Sequence, residues 1–287
     1  RNMGTEYVLL VGGDTYDYRD FLNIGSLSFI PSLYAQTDAN VQFAPVDPLY
    51  ADTDGDQVPD LAIGRFPVRT SQELATLVNK TLAYATKSYA HTAVFAADKY
   101  DAAQRYSFTQ DSETLINAMP ADWQVSRAHM DELGLAGART ALMDAVNNGV
   151  AVTSFFGHGA LNEWSFDRLF TGADAQTLTN SGQPTVVTQW GCWNTYYVSP
   201  TEDTMGHALL LNGDRGAAAV LGAATLTRAD YERQLGEALY ARLFVPGTTV
   251  GQAVLAAKRA FAQTRPGGLD VILGWTQLGD PALVIQP

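Results

Sequence analysis

Two apolar stretches in the middle of the chain decide how it folds. Residues 150–159 read VAVTSFFGHG, and residues 184–192 read PTVVTQWGC. Short runs of β-branched and aromatic residues bounded by glycine are typical of interior strands of a parallel sheet, which are covered on both faces. Each stretch is therefore predicted to be a buried strand that ends just before a reactive side chain, His158 in the first and Cys192 in the second.

The ends of these two strands are expected to meet. In open α/β sheets ligands bind at the carboxyl ends of the strands, so His158 and Cys192 are predicted to face one crevice although they lie far apart in the chain. Taken singly, a cysteine is usually a small buried hydrophobe, and a histidine is usually structural. Together, at matching strand ends, they indicate a Cys–His pair for nucleophilic catalysis.

Composition excludes several classes of function. The chain has 287 residues, a formal net charge of −12 and one cysteine, so no internal disulfide can form. The acidic balance argues against nucleic acid or an anionic membrane as partner, because phosphate binding depends on basic patches. No apolar run approaches the roughly 20 residues that span a bilayer. The few residues before Tyr7 lead directly into a strand, which suggests a fragment of a longer precursor.

Strands and helices are predicted to alternate along the chain. Apolar runs bounded by turn residues indicate strands, and apolar positions at helical spacing indicate helices. The predicted strands are 7–11, short segments near Ile30 and at 41–43, then 61–64, 92–97, 123–125, 217–221 and 283–285, and the predicted helices are 71–88, 107–119, 139–148, 202–212, 230–243 and 249–264. This alternation favours a mostly parallel sheet with helices on both faces.

Further motifs accompany the two central strands. Residues 54–65 read DGDQVPDLAIGR, residues 213–222 read GDRGAAAVLG and residues 278–283 read LGDPAL. In this order, around Gly-His-Gly and Gly-Cys, they resemble the gingipain-type cysteine peptidases, whose caspase-like fold is shared by caspases, legumain, clostripain and separase. The resemblance covers nearly the whole chain. It implies an α/β three-layer sandwich, with a mostly parallel sheet and helices on both faces, preceded by a smaller α/β subdomain.

The resemblance also implies an organisation and an activity. Residues 1–90 would form the N-terminal α/β subdomain with an acidic calcium-type loop, and residues 91–287 the caspase-like catalytic subdomain. The implied activity is that of a cysteine endopeptidase, secreted or at the cell surface of a bacterium or archaeon, that cleaves peptide or protein substrates through a thioester acyl-enzyme. No cofactor is expected for catalysis, and an upstream inhibitory propeptide is an expected partner.

Each residue of the site has an expected role. Cys192 is the nucleophile, because it is the only thiol, and His158 is its proton acceptor or the acid that protonates the leaving amine. By resemblance, the backbone N–H groups of Gly159 and Cys192 bind the oxyanion, and Asp98, at the end of a strand, orients the histidine. The alternative for Asp98 is an ordinary loop aspartate.

An acidic segment precedes the strand at 61–64. Residues 52–60 read DTDGDQVPD, with acidic residues at alternating positions around a glycine, as in the first half of an EF-hand calcium loop. The glutamate expected at the end of such a loop is missing, since Ile63 stands there. The sequence predicts a structural calcium ion, and the alternative is an acidic turn without metal. The predicted ligands are Asp52, Asp54, Asp56 and Asp60.

The substrate pocket is expected beside the cysteine, at the same edge of the sheet. Its predicted lining comprises Phe108, Trp190, Thr225 and Arg228. Packing within the sheet is the alternative for Trp190. An arginine in the loop after residue 221 would suit an acidic or polar P1 residue of the substrate.

Strict arginine specificity is not expected. In arginine-specific gingipains, an acidic residue at the start of the helix after the third catalytic residue holds the P1 side chain. Counting from Asp98, the matching position is Phe108 or Thr109, with no carboxylate. Asp101 or Asp111 could supply the anion from a neighbouring turn.

Two other functions stay open. A caspase-like binding module without activity would not need both His158 and Cys192, and their presence argues against it. A sortase-like transpeptidase of a secretion system would use the same groups, because an amine can resolve an acyl-enzyme as water does.

Overall fold

One sheet of eight strands runs through the centre of the molecule. A computed structural model describes residues 4–286. The strands within these residues, including those outside the large sheet, are β1 Tyr7–Val11, β2 Tyr34–Ala35, β3 Ala44–Pro45, β4 Ala62–Phe66, β5 Thr92–Ala97, β6 Gln124–His129, β7 Val152–Phe156, β8 Gly159–Ala160, β9 Glu163–Trp164, β10 Phe170–Thr171, β11 Thr185–Trp190, β12 Ala217–Ala223 and β13 Trp275–Leu278. The order across the large sheet is β1-β4-β13-β12-β11-β7-β5-β6.

Helices cover both faces of this sheet. They are α1 Ser71–Tyr84, α2 Phe108–Asn117, α3 Met130–Asn147, α4 Gly172–Thr177, α5 Met205–Leu210, α6 Ala229–Leu243, α7 Val250–Thr264 and α8 Leu269–Ile272, besides a 3₁₀ helix at Asp47–Ala51. One apolar cluster includes side chains of α2, α6 and α7, and a second includes side chains of α1, α3 and α5. The predicted three-layer arrangement, a mostly parallel sheet with helices on both faces, is therefore confirmed.

Burial explains why the central strands consist of continuous apolar runs. Every residue of β7, β11 and β12 is buried, because a helical layer covers each face of the sheet. The neighbours in the large sheet are parallel except β12 and β13, which pair antiparallel. Strands β5, β7, β11 and β12 therefore end at one edge of the sheet.

The last strand differs from its prediction. It lies at Trp275–Leu278, where it pairs with β12, and the predicted segment 283–285 contributes only a single bridge from Val284 to Thr249. Leu283 and Ile285 are buried, which explains why they gave an apolar signal. The strand that forms reads WTQL, and its polar Thr276 and Gln277 interrupt the apolar character by which buried strands are predicted.

Smaller differences occur in the loops. The short strands of the N-terminal region lie at β2 and β3 rather than near Ile30 and at 41–43. The segment 159–177 carries a three-stranded sheet of β8, β9 and β10 followed by α4, none of which has a clear period in the sequence.

The large sheet is continuous across the proposed boundary near residue 90. Strand β4 pairs with β13 through Arg65 and Leu278, so β1 and β4 extend the sheet that carries the central strands. The division into 1–90 and 91–287 stays a prediction, and its residues 1–3 and 287 lie outside the described part. Within residues 4–286, no helix combines the length and the apolar character that crossing a membrane requires.

Candidate active site

The two site residues follow neighbouring parallel strands. Trp190 at the end of β11 is the register partner of Phe156 at the end of β7, and the N–H of Gly157 donates to the carbonyl of Trp190 at 3.0 Å. His158 and Cys192 each lie two residues beyond this pair. The expectation that both residues reach the same edge of the sheet agrees with this register.

Glycines let the two loops pack backbone against backbone. A Cβ atom on Gly191 would lie 2.3 Å from the carbonyl oxygen of Gly157, and one on Gly159 would lie 2.6 Å from the carbonyl oxygen of Cys192. Contacts this close leave no room for a side chain. The structure thus brings together Gly159 and Cys192, the residues predicted to bind the oxyanion.

The sulfur of Cys192 lies against Thr227, in the loop before α6. The N–H of Thr227 donates to Sγ at 3.4 Å, and its hydroxyl lies at 3.6 Å. Burial raises the pKa of the Cys192 thiol, the nearby Glu232 carboxyl raises it further, and the Thr227 donors oppose both effects. These surroundings therefore favour the protonated thiol over the thiolate.

His158 is confined by two aromatic rings. Its imidazole stacks on Phe166 with centroids 4.7 Å apart and meets the edge of Phe108 at 5.1 Å. Its Nε2 lies 2.9 Å from Oδ2 of Asp101. The ring borders an open cleft of about 460 Å³, whose wall includes Tyr100 and Ser165.

Asp98, predicted to orient the histidine, contacts its backbone. Oδ2 of Asp98 accepts from the N–H of His158 at 3.3 Å, and Oδ1 accepts from the hydroxyl of Ser165 at 2.7 Å and from the N–H of Lys99 at 2.8 Å. Burial raises the pKa of Asp98, and these hydrogen bonds partly offset the increase. Asp98 thus joins β5 to the loop that carries His158.

The predicted pocket residues lie in different environments. Phe108 is buried against His158, as described above. Trp190 has no solvent exposure and stacks on Trp275 with centroids 4.7 Å apart, so it packs in the core; its assignment to the pocket is corrected accordingly. Thr225 is also fully buried, and its hydroxyl lies 2.7 Å from that of Thr37.

Arg228 is the exposed member of that set. Its guanidinium forms an ion pair with Asp230 at 3.0 Å and lies over the ring of Tyr231, 4.2 Å from the centroid. Its backbone N–H donates to the buried carboxylate of Asp270 at 3.0 Å. Arg228 therefore stands at the start of α6, within the loop that also holds Thr227.

Asp111, one candidate for the pocket anion, already has partners. The hydroxyl of Tyr106 donates to its carboxylate, and a guanidinium nitrogen of Arg233 lies 3.6 Å away. Burial raises the pKa of Asp111 to about 6. Its charge is thus partly compensated within the protein.

Three of the four predicted calcium ligands converge. Carboxylate oxygens of Asp52, Asp54 and Asp60 lie within 4.8 Å of one another, an arrangement that suits a hard cation. Asp56 lies outside this group and accepts from the N–H of Val58 at 2.8 Å. Arg259 reaches Asp60 at 3.1 Å and would compete with a cation for that carboxylate.

Sequence reasoning missed several residues at the site. Phe166 lies in a segment without periodicity, and nothing in the sequence indicates that Thr227, in the loop after residue 221, contacts the sulfur of Cys192. Asp101 was considered only as a pocket anion, although its position shortly after Asp98 at the end of β5 offered a signal.

This architecture and this site define a class of proteins. A mostly parallel sheet between two helical layers, with a histidine and a cysteine after neighbouring strands, is the arrangement of the caspase-like fold. The sequence model of peptidase family C25 matches residues 2–286. The chain therefore belongs to peptidase family C25, the gingipain-type cysteine peptidases, which confirms the resemblance carried by the motifs.

Solved structures share the fold. Gingipain R, described as an Arg-specific cysteine proteinase, aligns with a TM-score of 0.79 and 19% identity over 98% of this chain and 64% of that chain. The complex of RgpB pro- and mature domains from Porphyromonas gingivalis gives a TM-score of 0.79 and 18% identity over 98% of this chain and 66% of that chain. A separase–securin complex from Saccharomyces cerevisiae gives a TM-score of 0.51 and 15% identity over 77% of this chain and 14% of that chain.

The alignments also show how much of each related chain this protein covers. The chain spans 64% of the length of the gingipain R chain, which is less than two thirds. Among curated proteins, no sequence matches this chain.

Proposed function

We propose that this protein is a cysteine endopeptidase in which Cys192 attacks the carbonyl carbon of a peptide bond. The observation that carries the proposal is the packing of the loops after β7 and β11, where Gly191 lies against the backbone of Gly157. This packing brings the backbones of the two loops that carry His158 and Cys192 together at one edge of the sheet, which supports their joint action on a substrate.

In the proposed reaction, one proton moves twice, first from Cys192 to His158 and then from His158 to the leaving amine. The thiol proton of Cys192 passes to the imidazole of His158 as the sulfur bonds to the carbonyl carbon. His158 then gives this proton to the amine as the carbon–nitrogen bond breaks, which leaves a thioester. Water attacks the thioester, the carboxylic acid leaves and the thiol is restored.

The oxyanion requires donors near the cysteine. The backbone N–H groups of Gly159 and Cys192 are proposed for this role, because Gly159 packs against the backbone of Cys192. Such donors are effective because they are already oriented before the charge develops, and removing one typically costs about 10²–10³ in turnover.

Three further proposals accompany the activity. A calcium ion held by the acidic loop would be structural, since it would join Asp52 and Asp54 to Asp60 near β4. An upstream propeptide would inhibit the enzyme, in line with the complex of pro- and mature domains described for the gingipain RgpB. The enzyme would act outside the cell or at its surface.

The test is cleavage of a fluorogenic peptide library by three variants. Cys192→Ala should abolish cleavage and leave the circular dichroism spectrum unchanged, and His158→Ala should lower turnover by about 10⁴-fold or more, as typical for loss of a triad member. His91→Ala is the control, because His91 pairs with Asp122 at 3.1 Å beside the opposite end of β5. Substantial activity in Cys192→Ala would refute the proposal.

Two added measurements separate the rival functions. Alkylation of Cys192 by iodoacetamide followed by loss of cleavage would argue against an inactive binding module. Mass spectrometry of products formed with an added amine distinguishes a transpeptidase from a hydrolase, because the amine would be joined to the acyl fragment.

A further inference from the structure

The imidazole of His158 has a carboxylate partner other than the one expected. Oδ2 of Asp101 lies 2.9 Å from Nε2 of His158. Both oxygens of Asp98 are engaged elsewhere, one by the backbone N–H of His158 and the other by Ser165 and Lys99. The two aspartates therefore contact different parts of the same histidine.

The carboxylate of Asp101 is held in place by its own turn. Asp101 and Tyr106 exchange two backbone hydrogen bonds of 2.9 and 3.0 Å, which close the loop between them. Oδ1 of Asp101 accepts from the N–H groups of Ala103 at 2.8 Å and Gln104 at 3.0 Å, and the Gln104 side chain donates to Oδ2 at 2.9 Å. The hydrogen bonds from the Gln104 backbone and from His158 lower the pKa of Asp101.

We propose that Asp101 is the positioning residue that fixes the orientation and the tautomer of the His158 imidazole. This inference rests on the proposed function and names a residue for it. A carboxylate can only accept a hydrogen bond, so Nε2 must carry the proton. Nδ1 is then the nitrogen that receives the thiol proton and passes it to the leaving amine.

The surroundings of the ring support this assignment. Phe166 and Phe108 leave the imidazole little freedom to rotate, with centroids 4.7 and 5.1 Å away. The ammonium group of Lys99 pairs with Asp167 at 2.5 Å. Asp98 complements Asp101 by anchoring the backbone of the histidine loop to β5.

The deciding variant is Asp101→Asn. Its amide oxygen can still accept from Ala103 and Gln104, so the turn is kept, but its amide group then presents N–H donors to Nε2. A donor at that position favours the tautomer with the proton on Nδ1, which cannot take the thiol proton. Replacement of an orienting aspartate by asparagine lowers turnover through the wrong tautomer in serine proteases.

The experiment compares Asp101→Asn, Asp101→Glu and Asp98→Asn by ring ¹⁵N NMR of His158 and by kinetics. The wild type should hold the proton on Nε2 in its neutral imidazole, and Asp101→Asn should shift it to Nδ1. In Asp101→Asn kcat should fall about 10²-fold or more, with little change in KM. Asp101→Glu should restore both the tautomer and part of kcat, and Asp98→Asn should leave the tautomer unchanged.

Two results would overturn the proposal: an unchanged tautomer in folded Asp101→Asn, or a tautomer shift in Asp98→Asn. The ¹⁵N spectra can be recorded in a Cys192→Ala background, where no catalysis is needed. Failure of this assignment is therefore distinguishable from failure of the peptidase function, which the activity of Cys192→Ala decides.

Discussion

At the scale of single residues, the environment of Cys192 favours the protonated form of its thiol. Burial and the carboxyl groups of Glu232 and Asp270 raise the pKa of the thiol, and Thr227 only partly offsets them. Burial raises the pKa of Asp270 to about 6, so this carboxyl is ionised when the thiol titrates. These effects lower the fraction of Cys192 that is present as thiolate.

This environment predicts the pH dependence of alkylation. Raising the pKa of a thiol lowers the thiolate fraction at a given pH, so the iodoacetamide rate should reach half its maximum above pH 8.5, about the value of an unperturbed cysteine. Asp270→Asn removes a negative charge and should move the profile to lower pH, with roughly twofold to tenfold faster alkylation at pH 7. Asp122→Asn, which changes a distant surface charge, is the control. A midpoint at or below pH 8.5 in the wild type would contradict this account.

At the scale of elements, the site depends on how closely the loops after β7 and β11 approach. Gly191→Ala would place a Cβ atom 2.3 Å from the carbonyl oxygen of Gly157, which is backbone and cannot rotate away. The two loops would have to separate, so kcat/KM should fall by about tenfold or more and stability by roughly 1–3 kcal/mol, the usual cost of overpacking.

A matched glycine provides the control for this change. A Cβ atom on Gly267 would meet nothing within 4 Å, and its backbone is not left-handed. Gly267→Ala should leave the melting temperature and kcat/KM nearly unchanged. Equal effects of the two substitutions would show that the loss of activity and stability comes from reduced backbone flexibility rather than from the close approach at Gly191.

The acidic loop before β4 is a second element with a testable role. If calcium binds Asp52, Asp54 and Asp60, added calcium should raise the melting temperature and a chelator should lower it, because a ligand that binds only the native state stabilises it. Asp54→Asn should abolish the response. Asp38→Asn, in another exposed loop, should keep it. A melting temperature that does not respond to calcium or chelator in the wild type would leave an acidic turn without metal.

At the scale of the whole molecule, substrate specificity arises where several elements meet. Phe108 occupies the start of α2, where the resemblance would predict an acidic residue in an arginine-specific enzyme, and Asp111 is bonded to Tyr106 and close to Arg233. A substrate guanidinium buried without an anion would cost several kcal/mol. We therefore expect no strict preference for arginine at P1.

Profiling over a P1-varied fluorogenic library tests this expectation. Cleavage should be spread over several P1 residues or should favour polar or acidic ones. A dominant arginine signal that Asp111→Asn suppresses would show that the anion of the pocket has moved to Asp111. A dominant arginine signal that persists in Asp111→Asn would mean that another carboxylate near Cys192 serves as the anion.

The sequence by itself determined the layered fold and the strands that carry the site. The runs before His158 and Cys192 are continuous in apolar character because both of their faces are buried, and that signal is local. For the glycines beside them, the sequence suggested only a close approach of the backbone to a substrate. The packing of Gly191 against the backbone of Gly157 is seen only in the structure.

Only the tertiary structure decided which groups meet. The last strand is Trp275–Leu278 rather than 283–285, because its antiparallel pairing with β12 depends on a contact across the fold that the mixed apolar and polar residues of this segment do not indicate. Trp190 packs in the core rather than lining the predicted pocket, because Trp275 of β13 stacks on it. Asp101 rather than Asp98 contacts the His158 ring, and the bridge from Asp101 to Tyr106 closes the loop that supplies this contact. Contacts of this kind depend on distances across the fold, and residue spacing along the chain does not encode them.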